Sequence, residues 1–476
     1  MSPPAGAEII DLRGRIARPG FIDNHTHIVA GGLQLSRVQL RDAASPREFA
    51  ERIAAHAKKL GSGAWITGGS WDEQRWDPPR LPSREVIDAV TRETPVFVSR
   101  LDIHMGLANS LALQLAGITR ETPDPPGGTI ARDPNGEPTG ILKDAAMKIV
   151  EAKIPPPTLD ERVAAIRAAL REAAKFGITS LCDMSWTDAY DDLRAYQRIE
   201  SELTARVNLF TPIAQYRKLV DASIEKGFGS DRLRIGRLKA FADGSLGSST
   251  AAFFDPYADD PANRGLVMDE MADGSIARWA RDADAHNLQI AIHAIGDRAN
   301  ADVLAIYESI PDSRSRRFRI EHAQHLNASL VERFARAGVI ASMQPYHAAD
   351  DGRWAETKIG AARVPWTYAI RSLLDAGVCV TFGSDWPVAP LDPLLGIRAA
   401  TTRLTIDGRP FVPEQKITFD EALRCYTENN AYALFAEHEI GRIAPGMLAD
   451  IVVLSEDDAH VDLTIFDGRV IFNRPQ

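Results

Sequence analysis

Cysteine is nearly absent. Three occur in 476 residues, Cys182, Cys379 and Cys425, too far apart for a thiolate zinc site and too few for a disulfide framework. Each reads as a small core residue. Long hydrophobic runs are missing too: nothing approaches the roughly 18 consecutive apolar residues of a membrane helix. The start, "MSPPAGAEIIDLRG", lacks the charged head and apolar core of a secretory leader, so a cytoplasmic protein is expected. Nor is there a block of one charge: 55 basic against 65 acidic residues leave a net charge of −10 without long runs of either sign. That speaks against a nucleic-acid or membrane partner. There is no internal repeat and no low-complexity segment. What remains is an ordinary globular composition, long enough for one barrel-sized domain with accessories.

Eight short runs rich in Val, Ile and Leu stand out: "GFIDNH", "GITSLCDM", "RVNLFTPI", "RIGRLKAFADG", "LQIAIHAIGD", "FRIEHAQ", "GVIASMQP" and "VCVTFGSD". Between most of them lies a segment of helical period, such as "LDERVAAIRAALREAAKFG", with Gly177 as its stop. Alternating strand and helix units predict an α/β protein, a (β/α)₈ TIM-type barrel over residues 19–435. The gap from about 35 to 157 exceeds one crossover and predicts a subdomain inserted after the first barrel strand, placed to cover the barrel mouth. It carries strand-like "GAWITGGSW" and "TPVFVSRLDIH", helical "PREFAERIAAHAKKLG" and "NSLALQLAG", and the Pro/Gly-rich "ETPDPPGGTIARDPNGEPTG". An alternative assignment places two of these strands in the barrel. The tail, 436–476, alternates apolar residues and has an Asp467-Gly468 hairpin signal. With "AEIIDLRGRIA" in 1–18 it predicts a small, incomplete β-sandwich.

The chemistry gathers at strand ends. In "DNHTH", His25 and His27 are two apart and project to one side of a strand, with Thr26 turned away. At the C-terminal end of a barrel strand that side is the mouth, where active sites of this fold lie, and two imidazoles there make a natural metal pair. His293 closes "LQIAIH", His322 closes "FRIEH" and Asp385 closes "VTFGSD". A lone histidine is more often a structural residue, but four histidines and one aspartate at strand ends point to a metal cage. Lys239 has two readings: a surface lysine paired with Asp243, or a buried amine that carbon dioxide converts to an anionic carbamate able to bridge two metals.

"PGFIDNHTH", with the later "IH", "EH" and "GSD", resembles the metal-dependent amidohydrolase superfamily. "GGSWDEQRW", "RLDIHMGLANS", "KAFADGSLGS", "IHAIGDRAN", "RIEHAQH" and "PGMLADIVVL" are similar to its N-substituted formamide deformylase-like, or YtcJ-like, branch. The resemblance covers nearly the whole chain. It implies that His25 and His27 hold the more buried metal, that carbamylated Lys239 bridges, that His293 and His322 bind a second metal, and that Asp385 binds metal and handles the proton. Relatives usually begin with more strands than this chain shows, hence the expectation that the sandwich is incomplete.

One or two divalent cations, zinc first with manganese or iron as alternatives, would lower the pKa of water toward neutrality and polarise a carbonyl. The expected activity is hydrolysis of an amide-type C–N bond, N-acyl or N-formyl, in a small molecule by a metal-activated hydroxide. The alternatives are a mononuclear deaminase, an ester, lactone or carbamate hydrolase, and a non-catalytic binding protein. Asp102 and His104 in the insert, Trp71 with Trp76 as an apolar wall, and His347 after "MQPY" are candidate substrate contacts; for the tryptophans, simple packing is the alternative. Asp243 and Gly244 are expected in a tight loop below the metals, and His325 at a helix start. His56, His286, His438 and His460 read as ordinary. A homodimer is expected only from the general frequency of symmetric dimers.

Overall fold

In the computed structural model, the structure describes residues 9–60, 63–73, 76–100, 105–125, 128–185 and 189–475. The chain divides into two compact units, Met1–Gly31 with Arg162–Gln476, and Gly32–Glu161.

The larger unit is built on eight strands: β1 (Phe21–Thr26), β2 (Ile178–Met184), β3 (Arg206–Pro212), β4 (Leu233–Phe241), β5 (Gln289–Ala294), β6 (Arg319–His322), β7 (Ile340–Met343) and β8 (Val380–Phe382). All eight sequence runs are strands, and each pairs in parallel with the one before it. Both faces of such a sheet are covered, so the strands read as near-continuous apolar runs; every residue of β2 is buried. The helix Leu159–Lys175 leads into β2, and Gly177, at φ +73°, ends it with the left-handed turn that glycine takes freely. Asn327 caps Ala328–Ala337 by accepting from the Leu330 amide, and Gly338 stops that helix in the same way.

The barrel closes just beyond β8. Thr26 forms a parallel bridge to Trp386, the Asp385 amide donates to the His25 carbonyl at 2.7 Å, and the His27 amide donates to the Trp386 carbonyl at 2.8 Å. Gly383 makes this seam possible, because a Cβ there would lie 2.5 Å from the His25 nitrogen and 2.9 Å from Asp23 Oδ1.

The termini form one four-stranded antiparallel sheet in the order Ala17–Pro19, Ile451–Leu454, Val461–Phe466, Arg469–Asn473. The expected hairpin is present, with Asp467 and Gly468 both at positive φ. Over the described part of "AEIIDLRGRIA", residues 9–17, the expected strand shrinks to the last residue and the two that follow. Arg13 and Gly14, at φ +52° and +86°, turn the chain just before it, with the Arg15 amide donating to Leu12 O at 3.0 Å. The sandwich expectation is thus reduced to a single sheet among the described residues. A buried bidentate ion pair, Arg206 to Asp450 at 2.8 and 3.0 Å, ties this sheet to β3.

The smaller unit carries its own six-stranded sheet, ordered Val38–Gln39, Gly68–Trp71, Phe97–Arg100, Met105–Ala108, Pro138–Asp144, Gly128–Arg132. Neither of its expected strands belongs to the barrel. The Pro/Gly-rich segment contributes a further hairpin, 128–132 against 138–144. Trp71 and Trp76, read as a possible substrate wall, are instead packed in this unit's core around Phe49. Their indole N–H groups donate to Val98 O at 3.3 Å and Ala43 O at 3.0 Å, the usual satisfaction of a buried tryptophan.

Gly383→Ala is expected to overpack the seam by about 1–3 kcal/mol. The thermal midpoint of the purified variant should fall by several degrees; an unchanged midpoint would contradict this account of closure.

Candidate metal centre

β1 delivers His25 and, one step past its end, His27. Thr26 faces away, its hydroxyl donating to Cys182 O at 2.7 Å. His25 is 1% exposed. Its Nδ1 lies 2.6 Å from Glu321 Oε2, and burial, then the nearby Lys239 charge, lower its pKa to about 4. With Nδ1 as the donor, Nε2 presents a lone pair to the cavity. His27 follows the same pattern: Nδ1 lies 2.9 Å from the Met184 carbonyl, which can only accept, so Nε2 is the nitrogen turned toward Asp385. Outward acceptors that fix the tautomer are the usual support of metal-binding imidazoles.

Asp385 stands opposite, with Oδ1 at 3.1 Å from His27 Nε2 and 3.5 Å from His25 Nε2. Burial pushes its carboxyl up, but the surrounding imidazoles, His25 first, outweigh burial and hold it well below the usual carboxylate range. A carboxylate and the Nε2 atoms of two imidazoles therefore converge, a donor arrangement that a cation would satisfy. His322 joins them from the end of β6: its Nδ1 is buried without a hydrogen-bond partner, and burial, with His293 next, lowers its pKa strongly. Ligand atoms of His25, His322 and Asp385 all lie within 4.8 Å of one another. The donor set thus fits a divalent metal of the imidazole and carboxylate class. His322 and Asp385 both have positive φ, +73° and +61°, uncommon for such residues and concentrated at functional sites.

Lys239 is buried at 2% exposure, with Nζ 3.4 Å from His25 Nε2. Burial lowers its pKa to about 8. The reading as a surface partner of Asp243 is therefore corrected. Asp243 instead accepts the amides of Ala252, Ile295 and Gly296 at 2.9, 3.0 and 2.8 Å, clamping the loops that follow β4 and β5. On that clamp rests His293, whose Nε2 donates to the Gly244 carbonyl at 2.9 Å, leaving Nδ1 as its available ligand atom. Its ring centroid is 4.5 Å from that of His322.

His347, in the helix Pro345–Asp351 after β7, places Nε2 3.8 Å from Asp385 Oδ2, and that nitrogen is buried with no hydrogen-bond partner. The structure thus brings His25, His27, Lys239, His293, His322, His347 and Asp385 to one cavity of about 320 Å³. Asp102 and His104 lie outside the described residues. His325 does not open a helix: it is buried in the segment before Asn327, between Gln324 and Thr367.

Sequence reasoning missed Glu321. Its Oε2 accepts from His25 and from the Ser342 hydroxyl at 2.7 Å, and its Oε1 from Arg319 Nε at 2.7 Å. Arg319 and His25 outweigh the cost of burial and keep the carboxylate ionised. The available signal was a charged pair two apart, Arg319 and Glu321, inside a strand buried throughout. Glu321→Ala is expected to weaken metal affinity about 10–100-fold, read by competition with a chelator; an unaltered affinity would remove Glu321 from the support of His25.

Residues 8–472 match the model of the amidohydrolase family. The chain is 41% identical to the protein LONG AFTER FAR-RED 3 of Arabidopsis thaliana over 468 residues, 94% of this chain and 79% of that protein. It is 29% identical over 479 residues to the N-substituted formamide deformylase of Arthrobacter pascens, covering 95% and 85%. An uncharacterized metal-dependent hydrolase from Pyrococcus horikoshii OT3 superposes with a TM-score of 0.80 at 30% identity, covering 95% of this chain and 89% of that one. With the barrel and its cluster of strand-end donors, these likenesses place the chain in the amidohydrolase family of metal-dependent hydrolases.

Proposed function

We propose that the protein hydrolyses an amide-type C–N bond, N-formyl or N-acyl, in a small molecule, using two divalent metals held by His25, His27, His293, His322, Asp385 and a carbamylated Lys239. The observation that carries this reading is the convergence of His25 and His27 Nε2 on the Asp385 carboxylate, beside a lysine buried with a pKa near 8. A lysine in that state has a neutral amine fraction able to attack carbon dioxide. Its lone pair forms the N–C bond, one C=O bond opens to a carboxylate, and the displaced proton passes to water. The product replaces a positive charge among the ligands with a negative one.

Divalent metal, when bound, supplies a Lewis acid for the carbonyl and a lowered water pKa. The remaining steps belong to the chain. Asp385, held ionised by its surroundings, accepts the proton of the attacking water. The water oxygen bonds to the carbonyl carbon, the C–N bond breaks, and Asp385 returns the proton to the leaving nitrogen. His347 Nε2, unpaired on the Oδ2 side of Asp385, donates to the substrate. Zinc fits this donor set, as do manganese and iron.

A second reading, a mononuclear hydrolase or deaminase, is favoured by one feature: the tight trio is His25, His322 and Asp385 alone among the described residues, while His293 Nε2 is engaged by Gly244.

His25→Ala and Asp385→Ala are each expected to lower turnover of small N-acyl or N-formyl amides by at least about 10³-fold, with an unchanged circular dichroism spectrum. Full activity in either variant would remove the assignment. Wild-type protein stripped of metal should recover more metal with bicarbonate than without it, and Lys239→Ala should lose that difference. Equal recovery with and without bicarbonate in the wild type would favour the mononuclear reading.

A further inference from the structure

We infer that the substrate carries an ammonium or similar cationic nitrogen, apart from the bond that is cut, and that Asp351 on the cavity wall recognises it; this rests on the hydrolase reading above. Asp351 is the last residue of the helix Pro345–Asp351 and lines the cavity that holds the metal donors, together with Gln324, His347 and Trp354. One carboxylate oxygen, Oδ2, is held twice, by the Tyr368 hydroxyl at 2.6 Å and Gln324 Nε2 at 2.8 Å. The other oxygen has no hydrogen-bond donor, and no lysine or arginine pairs with Asp351 among the described residues.

Among the described residues Asp23, Asp183 and Asp243 are likewise buried without a lysine or arginine, but backbone amides and a hydroxyl hold them. Others have a guanidinium partner: Glu321 is paired with Arg319, Asp192 with Arg162 and Asp450 with Arg206. Even the adjacent Asp350, which also borders the cavity, is engaged by Arg353. Withdrawing a carboxylate from water without a cation is unfavourable, and the deficit is made good when a charged donor arrives. Two donors on one oxygen hold the group in a fixed orientation, so its remaining acceptor capacity is preorganised for a ligand. Lys239 is the single lysine or arginine among the described lining residues, and it sits with the metal donors; of the titratable lining groups, the His347 imidazole is the one that favours the Asp351 carboxylate. Trp354, whose amide donates to the Asp351 carbonyl at 2.9 Å, also lines the cavity and adds an aromatic surface suited to a cation. A cavity of about 320 Å³ is at the small end of ligand sites, which suits a short aliphatic chain between the amide and the charge.

The test compares two formamides of matched length, N-formyl-1,4-diaminobutane and N-formylpentylamine, which differ by an ammonium in place of a methyl group. The wild type should favour the ammonium compound by about tenfold or more in kcat/KM, the worth of one hydrogen bond to a charged group. Asp351→Asn should bring that ratio to within about twofold with metal content equal to wild type, and Tyr368→Phe, which removes one of the two anchors, should give an intermediate ratio. A ratio near one in the wild type, or a ratio kept by Asp351→Asn, would overturn the inference. If neither formamide is cut, the hydrolase reading loses ground separately, and binding of 1,4-diaminobutane by calorimetry decides the matter. Wild type binding at least tenfold more tightly than Asp351→Asn upholds the recognition, and equal or absent binding rejects it.

Discussion

One hydrogen bond, from the Asp385 amide to the His25 carbonyl at 2.7 Å, does two things at once. It closes the barrel between the last strand and the first, and it fixes how far a carboxylate from one end of the chain stands from two imidazoles at the other. Because the donors lie at or just past strand ends, their separations are set by the sheet's spacing together with this seam. The absent side chain at Gly383 is part of the same constraint, since the seam cannot tighten around a Cβ.

Beneath the seam the barrel interior is polar where most barrels are filled with aliphatic layers. Arg319 donates to the Asn24 carbonyl at 2.8 Å and to Glu321, Ser342 donates to Glu321, and Asn24 donates to Thr381 at 2.6 Å. Each member is satisfied by another, so the network holds an ionised carboxylate against His25 without exposing it to water. The dipeptide Glu321-His322 thereby serves two strands: one residue positions His25 and the next enters the cluster itself.

Much of this was legible in the residues. Eight apolar runs became eight strands because both faces of a parallel sheet are buried, and donors at the ends of four of those runs converged because strand ends share one rim. The contact of Glu321 with His25 was harder to read than its pairing with Arg319, since strand period two sends neighbours to opposite faces. Only the positive φ of His322 lets adjacent residues reach one centre, and nothing in "RIEH" announces that backbone. Asp351 was hidden behind a similar limit: its partners Gln324 and Tyr368 come from distant loops. Trp71 and Trp76 show the converse, because an indole looks the same in a sequence whether it lines a pocket or packs against Phe49. At the N-terminus, apolar alternation suggested a strand that the turn at Arg13 and Gly14 cuts short.

The central claim is that the strand-end donors and Lys239 together form a two-metal centre. The direct measurement is the number of metal ions per chain, by plasma mass spectrometry, on protein reconstituted with bicarbonate and zinc or manganese. The account predicts about two. A value near one would leave the His25, His322 and Asp385 trio as the whole site, and none would contradict the account.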